Sequence, residues 1–66
     1  MKNRVAELRK KNKMSQTELA KIVGVSRQTI SFIETERSTP SLELAFEISD
    51  VFGECIEEIF IREDIE

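Results

Sequence analysis

An all-α fold of five short helices is predicted by three features of the sequence. Apolar residues recur at helical spacing in several short windows, and no strand-type alternation spans more than a few residues. Ser residues that can cap helix starts and Gly residues that can end them alternate along the chain. The composition, 39% hydrophobic and 35% charged with no Trp or Tyr, suits a small helical domain better than a β-rich or disordered one. At 66 residues there is one domain, and chains of this size bury only about 60% of the surface they expose when unfolded. Self-association would relieve that shortage.

The first helix is expected from Lys2 to about Lys11, with Val5 and Leu8 on one side and Arg4, Glu7, Lys10 and Lys11 opposite. Ser15-Gln16-Thr17-Glu18 then reads as a capping box, with Met14 and Leu19 as its hydrophobic staple. A second helix follows from about Gln16 to Val23, and Gly24 ends it by tolerating the left-handed conformation. Ser26 caps a third helix from Arg27 to about Thr35, with Val25 and Ile30 repeating the staple. After the polar loop Glu36-Arg37-Ser38-Thr39-Pro40, Ser41 caps a fourth helix whose Leu44, Ala45, Ile48 and Phe52 share a side, and Gly53 ends it. One more helical turn is expected around Ile56 to Phe60.

Charge is divided along the chain. Residues 1–40 hold nine Lys or Arg against four Glu, a balance of +5, and residues 41–66 hold one Arg against nine acids, a balance of -8. The net charge of -3 conceals a basic region suited to an anionic partner. No apolar run approaches the roughly 20 residues of a membrane span, which makes the cytoplasm the expected location, with no membrane partner. With no His and a single Cys, neither a metal site, an internal disulfide nor acid–base or nucleophilic catalysis has its usual parts. No cofactor is expected. Cys55 reads as a small packing residue.

Helices two and three, each about eight residues and joined by a short turn containing Gly, form a helix-turn-helix arrangement over residues 16–35. Ala20 lets the helix axes approach, Gly24 permits the reversal, and Leu19, Val23, Val25, Ile30 and Ile33 supply the apolar contacts between them. At 100° per residue, Gln28 and Thr35 lie about 170° from the buried direction of helix three, and Ser31 and Phe32 about 130°. Arg27, Gln28, Ser31 and Phe32 are the candidate base-reading residues. Arg suits guanine, Gln suits adenine and Phe suits a thymine methyl, all presented in the major groove of double-stranded DNA. Phosphate contacts are expected from the starts of helices two and three, with Gln16 and Thr29, and from Arg37, Ser38 and Thr39 in the loop. Plainer readings stand beside these: Phe32 as local packing or a protein contact, Arg27 in a surface ion pair, and Lys10 and Lys11 on a solvated helix face.

The run SQTELAKIVGVSRQTISFIETE resembles the phage-repressor and Cro-type helix-turn-helix family, also called the xenobiotic-response-element family. The likeness extends from Lys2 to Phe60, because PSLELAFEISDVFG and IEEIF are similar to the family's fourth and fifth helices. The resemblance implies a compact five-helix, lambda-repressor-like DNA-binding domain acting as a transcriptional regulator, usually dimeric. It implies a phosphate contact at Gln16, base contacts at Arg27, Gln28 and Phe32, and a partly buried salt bridge between Arg9 and Glu34. Glu54 departs from the family pattern, where Val is common.

The apolar residues Ile59, Phe60, Ile61 and Ile65, in the segment 56–66, suggest a homodimer contact that would set two recognition helices on a partly palindromic operator. Alternatively, Ile59 completes the monomer core. A regulator of this kind, expected to be a repressor, acts by occupying DNA. The rival reading is a protein-interaction or antitoxin-like module that keeps the same fold.

Overall fold

The computed structural model describes residues 1–62. The elements in chain order are β1 (Lys2–Asn3), α1 (Val5–Lys11), α2 (Gln16–Val23), α3 (Arg27–Glu34), α4 (Leu42–Phe52), α5 (Ile56–Ile59) and β2 (Phe60–Ile61). The five helices make an all-α domain in which a two-stranded ribbon is a minor addition.

Local chemistry sets most helix ends. The Ser15 hydroxyl accepts from the Glu18 amide at 3.0 Å while the Glu18 carboxylate accepts from the Ser15 amide at 2.8 Å, so the capping box is closed from both sides. Ser26 and Ser41 accept from the amides of Thr29 and Leu44, each at 3.1 Å. Gly24 and Gly53 end α2 and α4 in the left-handed region, at φ +77° and +68°. Open space surrounds the position a Cβ would take at either glycine, so backbone strain alone favours Gly there.

The first helix begins later than its periodicity predicts, at Val5 rather than Lys2. Lys2 and Asn3 are drawn into antiparallel pairing with Ile61 and Phe60, respectively. The Asn3 side chain donates to the Ile33 carbonyl at 2.8 Å and accepts from the Val5 amide at 3.1 Å, and the Arg4 amide donates to the Ile59 carbonyl at 2.8 Å. Ile33 and Ile59 lie 30 and 55 residues from their partners in sequence, and a pattern confined to one window cannot register them. Arg4 also reaches Glu54 at 3.3 Å. That contact gives Glu54 an ionic role at the position where the resemblance leads Val to be expected.

The core gathers Val5 and Leu8 of α1, Leu19, Ala20 and Val23 of α2, and Ile30 and Ile33 of α3 against Leu44, Ala45 and Ile48 of α4. Ile59 and Phe60 close it, at 0% and 7% exposure. Their burial within a single chain corrects the expectation of a dimer contact at these two residues and agrees with the alternative that Ile59 completes the monomer core. The ribbon brings the segment Ile59–Phe60 onto the core, where an Ile side chain gains about 1.5–3 kcal/mol on full burial. Ile61 is exposed, and Ile65 lies outside the described residues. Cys55 is a second correction. It stands exposed as the residue preceding α5, with its thiol free, and does not pack inside.

Candidate nucleic-acid interface

Helices α2 and α3 pack through Leu19, Ala20, Val23, Ile30 and Ile33, all of them buried. This fixes which side of α3 is left over. Arg27, Gln28 and Thr35 are exposed, and Ser31, Phe32 and Thr29 are half-buried. The leftover side is the one that carries hydrogen-bonding groups of both kinds together with one aromatic ring.

An ion pair beneath this surface orients part of it. The Arg9 guanidinium donates from Nε to Glu34 Oε2 at 2.8 Å and from Nη2 to Glu34 Oε1 at 3.1 Å, while its Nη1 donates to the Met14 carbonyl at 2.9 Å. The two side chains are 11% and 6% exposed. The hydrogen bonds that the Arg9 guanidinium donates to Glu34 raise the Arg9 pKa above its ordinary value against the opposing effect of burial. Three directed donors and a two-pronged carboxylate therefore join α1, α3 and the turn before α2.

Glu34 has a third donor, which the sequence did not reveal. Gln16 Nε2 donates to Glu34 Oε1 at 2.9 Å, which leaves Gln16 Oε1 facing outward to accept from Arg27 Nη1 at 3.2 Å. A four-residue chain thus runs from Arg9 through Glu34 and Gln16 to Arg27. It brings together an expected phosphate ligand, an expected base reader and a structural ion pair that the sequence reading kept separate. One amide hydrogen of Gln16 remains for an external acceptor. The sequence signal for this link is the placement of Gln16 at the first turn of α2 and Arg27 at the first turn of α3, although only the packing angle decides that they meet.

At the opposite end of α3, the loop turns back on itself. The amides of Arg37 and Ser38 donate to the Phe32 carbonyl at 2.8 and 3.2 Å, with Glu36 at φ +65° making the reversal. The Arg37 guanidinium lies over the Phe32 ring, 4.9 Å from its centroid. Such stacking is worth about 0.5–1 kcal/mol at an exposed site. A residue expected on phosphate and one expected on bases are therefore a contacting pair, which accounts for how Phe32 is accommodated on an outer face. The Thr29 hydroxyl shares a 3.0 Å hydrogen bond with that of Ser26, and where Ser26 is the donor the Thr29 O–H is left to donate elsewhere.

The electrostatic layout follows the chain division. Arg27 and Arg37 mark the two ends of the α3 face, whereas the exposed acids Glu43, Glu47 and Asp50 all lie on α4. No group of His, Cys, Asp and Glu among the described residues is arranged to hold a metal ion. No described helix is long and apolar enough to cross a membrane.

Comparison with known proteins gives a consistent result. A family model described as helix-turn-helix matches residues 5–59. An HTH-type transcriptional regulator of Methanocaldococcus jannaschii is 52% identical over 66 residues, covering all of both chains. One of Archaeoglobus fulgidus is 50% identical over 66 residues, all of this chain and 94% of the relative. One of Bacillus subtilis is 44% identical over 64 residues, covering 97% of each.

Proposed function

Since this chain belongs to the helix-turn-helix family of DNA-binding transcriptional regulators, we propose that it is a cytoplasmic repressor that inserts α3 into the major groove of a partly palindromic operator as a homodimer. The observation that carries this reading is the outward face of α3, where Arg27 and Gln28 stand exposed at the end that reaches deepest into a groove. Gln28 reads an adenine, Arg27 a guanine edge, Ser31 an adjacent base, and Phe32 a thymine methyl. The Gln16–Arg27 hydrogen bond supports the assignment to Arg27, because a guanidinium already oriented on the protein loses less freedom when it meets a base.

Gln16, with its remaining amide hydrogen, and the free amides at the start of α2 hold one phosphate. Thr29, Arg37 and Ser38 hold others. These contacts set register and carry no sequence information. Repression is by occupancy: a bound pair covers the operator and blocks polymerase. Against a protein-interaction role in place of DNA binding stands the gathering of exposed cations, Arg27 and Arg37, at both ends of the α3 face.

The test compares two variants on the preferred duplex and on random duplex. Gln28→Ala should cost about 1–3 kcal/mol on the preferred site and relax specificity at one position, whereas Ser38→Ala, at a phosphate-contacting position apart from the Gln16–Arg27 link, should weaken binding to both duplexes alike. The same proportional loss for both variants on both duplexes contradicts the division of roles. Selection from a random duplex pool identifies the preferred site, and a two-fold symmetric result is the expected outcome.

A further inference from the structure

The hydrogen bonds that run from Glu34 to Arg27 have a direction set by which atoms can donate. The Glu34 carboxylate only accepts and the Arg27 guanidinium only donates, while the Gln16 amide between them does both. With Gln16 Nε2 on Glu34 Oε1 at 2.9 Å and Gln16 Oε1 toward Arg27 Nη1 at 3.2 Å, each bond joins a donor to an acceptor. Turning the amide over would set its oxygen against the carboxylate and its N–H groups against the guanidinium, so both bonds would be lost together. Gln16 is left one orientation, and the carboxylate chooses it.

Glu34 is itself held fast. Its Oε1 also accepts from Arg9 Nη2 at 3.1 Å and its Oε2 from Arg9 Nε at 2.8 Å. At 6% exposure its side chain lies beneath the surface that would meet a base or a phosphate. Gln16 is half-buried and Arg27 exposed, so three side chains lead from a fixed anchor to the outer face of α3. Such an arrangement supports a binding group from behind. The bond to Gln16 takes one N–H of Arg27 and leaves the rest of its fork for the two parallel bonds that guanine O6 and N7 accept.

We propose that Glu34 is a positioning residue for sequence readout, which orients Gln16 so that Gln16 holds Arg27 toward guanine. The inference rests on the assignment of Arg27 to a base under Proposed function. It gives Gln16 two tasks: the spare amide hydrogen meets a phosphate and is blind to sequence, whereas the oxygen acts on a base reader. A held guanidinium loses less freedom on meeting guanine. A loose one can swing to a neighbouring acceptor when guanine is replaced and recover part of the loss, so releasing Arg27 lowers discrimination as well as affinity.

Duplex selection with wild type and Arg27→Ala identifies the position that Arg27 reads, and affinities are then measured on the preferred duplex and on one altered at that position alone. Glu34→Gln gives Gln16 a neighbouring amide that can turn either way. Gln16→Met removes the link to Arg27 and leaves the Arg9–Glu34 pair in place. Each should reduce discrimination at the Arg27 position about 2- to 10-fold, the scale of one side chain's ordering cost. Discrimination at the Gln28 position should persist. Combined, the two changes should lower discrimination no further than Gln16→Met alone, because Glu34 acts through Gln16.

A purely structural Glu34 predicts equal weakening on both duplexes, and that result overturns the proposal. A further loss of discrimination in the double variant also overturns it. Should Glu34→Gln lose its helical circular dichroism, Gln16→Met remains decisive, since unchanged discrimination in that variant is enough to reject the link. The two readings fail separately. Wild type with no preferred sequence, or Arg27→Ala that relaxes no position, removes the base assignment of Arg27 and this inference with it. A position relaxed by Arg27→Ala and untouched by Gln16→Met removes this inference alone.

Discussion

Phe32 and Phe46 sit on outward helix faces in opposite halves of the charge division, and their surroundings differ. Phe32 is half-buried, with the Arg37 guanidinium over its ring, on a helix that begins with Arg27. Phe46 is open to solvent on a helix that also carries Glu43, Glu47 and Asp50. The backbone around the two is built alike, since α3 and α4 each start on a serine whose hydroxyl accepts from an amide three residues on. The difference shows that capping chemistry builds both halves while the charge around the two rings is opposite in sign. A phosphate-bearing partner is drawn to one half and repelled by the other.

The largest expected effect separates the ion pairs of the two halves. Glu34→Ala leaves the Arg9 guanidinium without its carboxylate in a nearly buried site and should cost about 3–5 kcal/mol of unfolding free energy, read by urea titration. Glu54→Ala removes a half-exposed partner of Arg4, and should change stability by no more than about 1 kcal/mol. Equal losses break the contrast. The raised pKa of Arg9 adds a sign: its contribution is complete below the ordinary arginine value and is lost only as pH rises through the still higher folded one, so stability should show no arginine-linked loss on mild alkalinisation.

Next come the two glycines. Gly24→Ala and Gly53→Ala each place a Cβ in a left-handed conformation with open space around it, and each should cost about 1–2 kcal/mol in thermal unfolding. The pair sharpens the division of roles if only Gly24→Ala also weakens DNA binding, since only Gly24 sets the angle between α2 and α3. Ser15→Ala and Ser41→Ala are smaller, at about 1 kcal/mol each, and should lower the melting temperature by about 4–8 °C. The smallest effect on stability is expected for Arg37→Ala, which loses about 0.5–1 kcal/mol of stacking on Phe32. On DNA the same change should reduce the log–log salt slope by about 0.9, one phosphate's share.

Much of this architecture is legible in the chain because it is local. Ser15 with Glu18, Ser26, Ser41, Gly24 and Gly53 each act within four residues, so a short window holds both the donor and the acceptor, or the strained backbone and the residue that tolerates it. The outward side of α3 is legible for the same reason, since helical periodicity alone separates Ile30 and Ile33 from Gln28 and Phe32. The charge division needs nothing beyond counting.

What the sequence by itself determined is therefore the helices, their caps and the polarity of each face. The tertiary structure alone decided that Ile59 and Phe60 close the core, that Lys2 and Asn3 leave the first helix to pair with Ile61 and Phe60, and that Gln16 bridges Glu34 to Arg27. Each of these joins residues at least eleven apart through the packing angle of helices or the return of a terminus. An apolar side chain carries no mark of whether its own core or a second copy will cover it, and only the closed fold leaves Phe46 outside and Ile59 within.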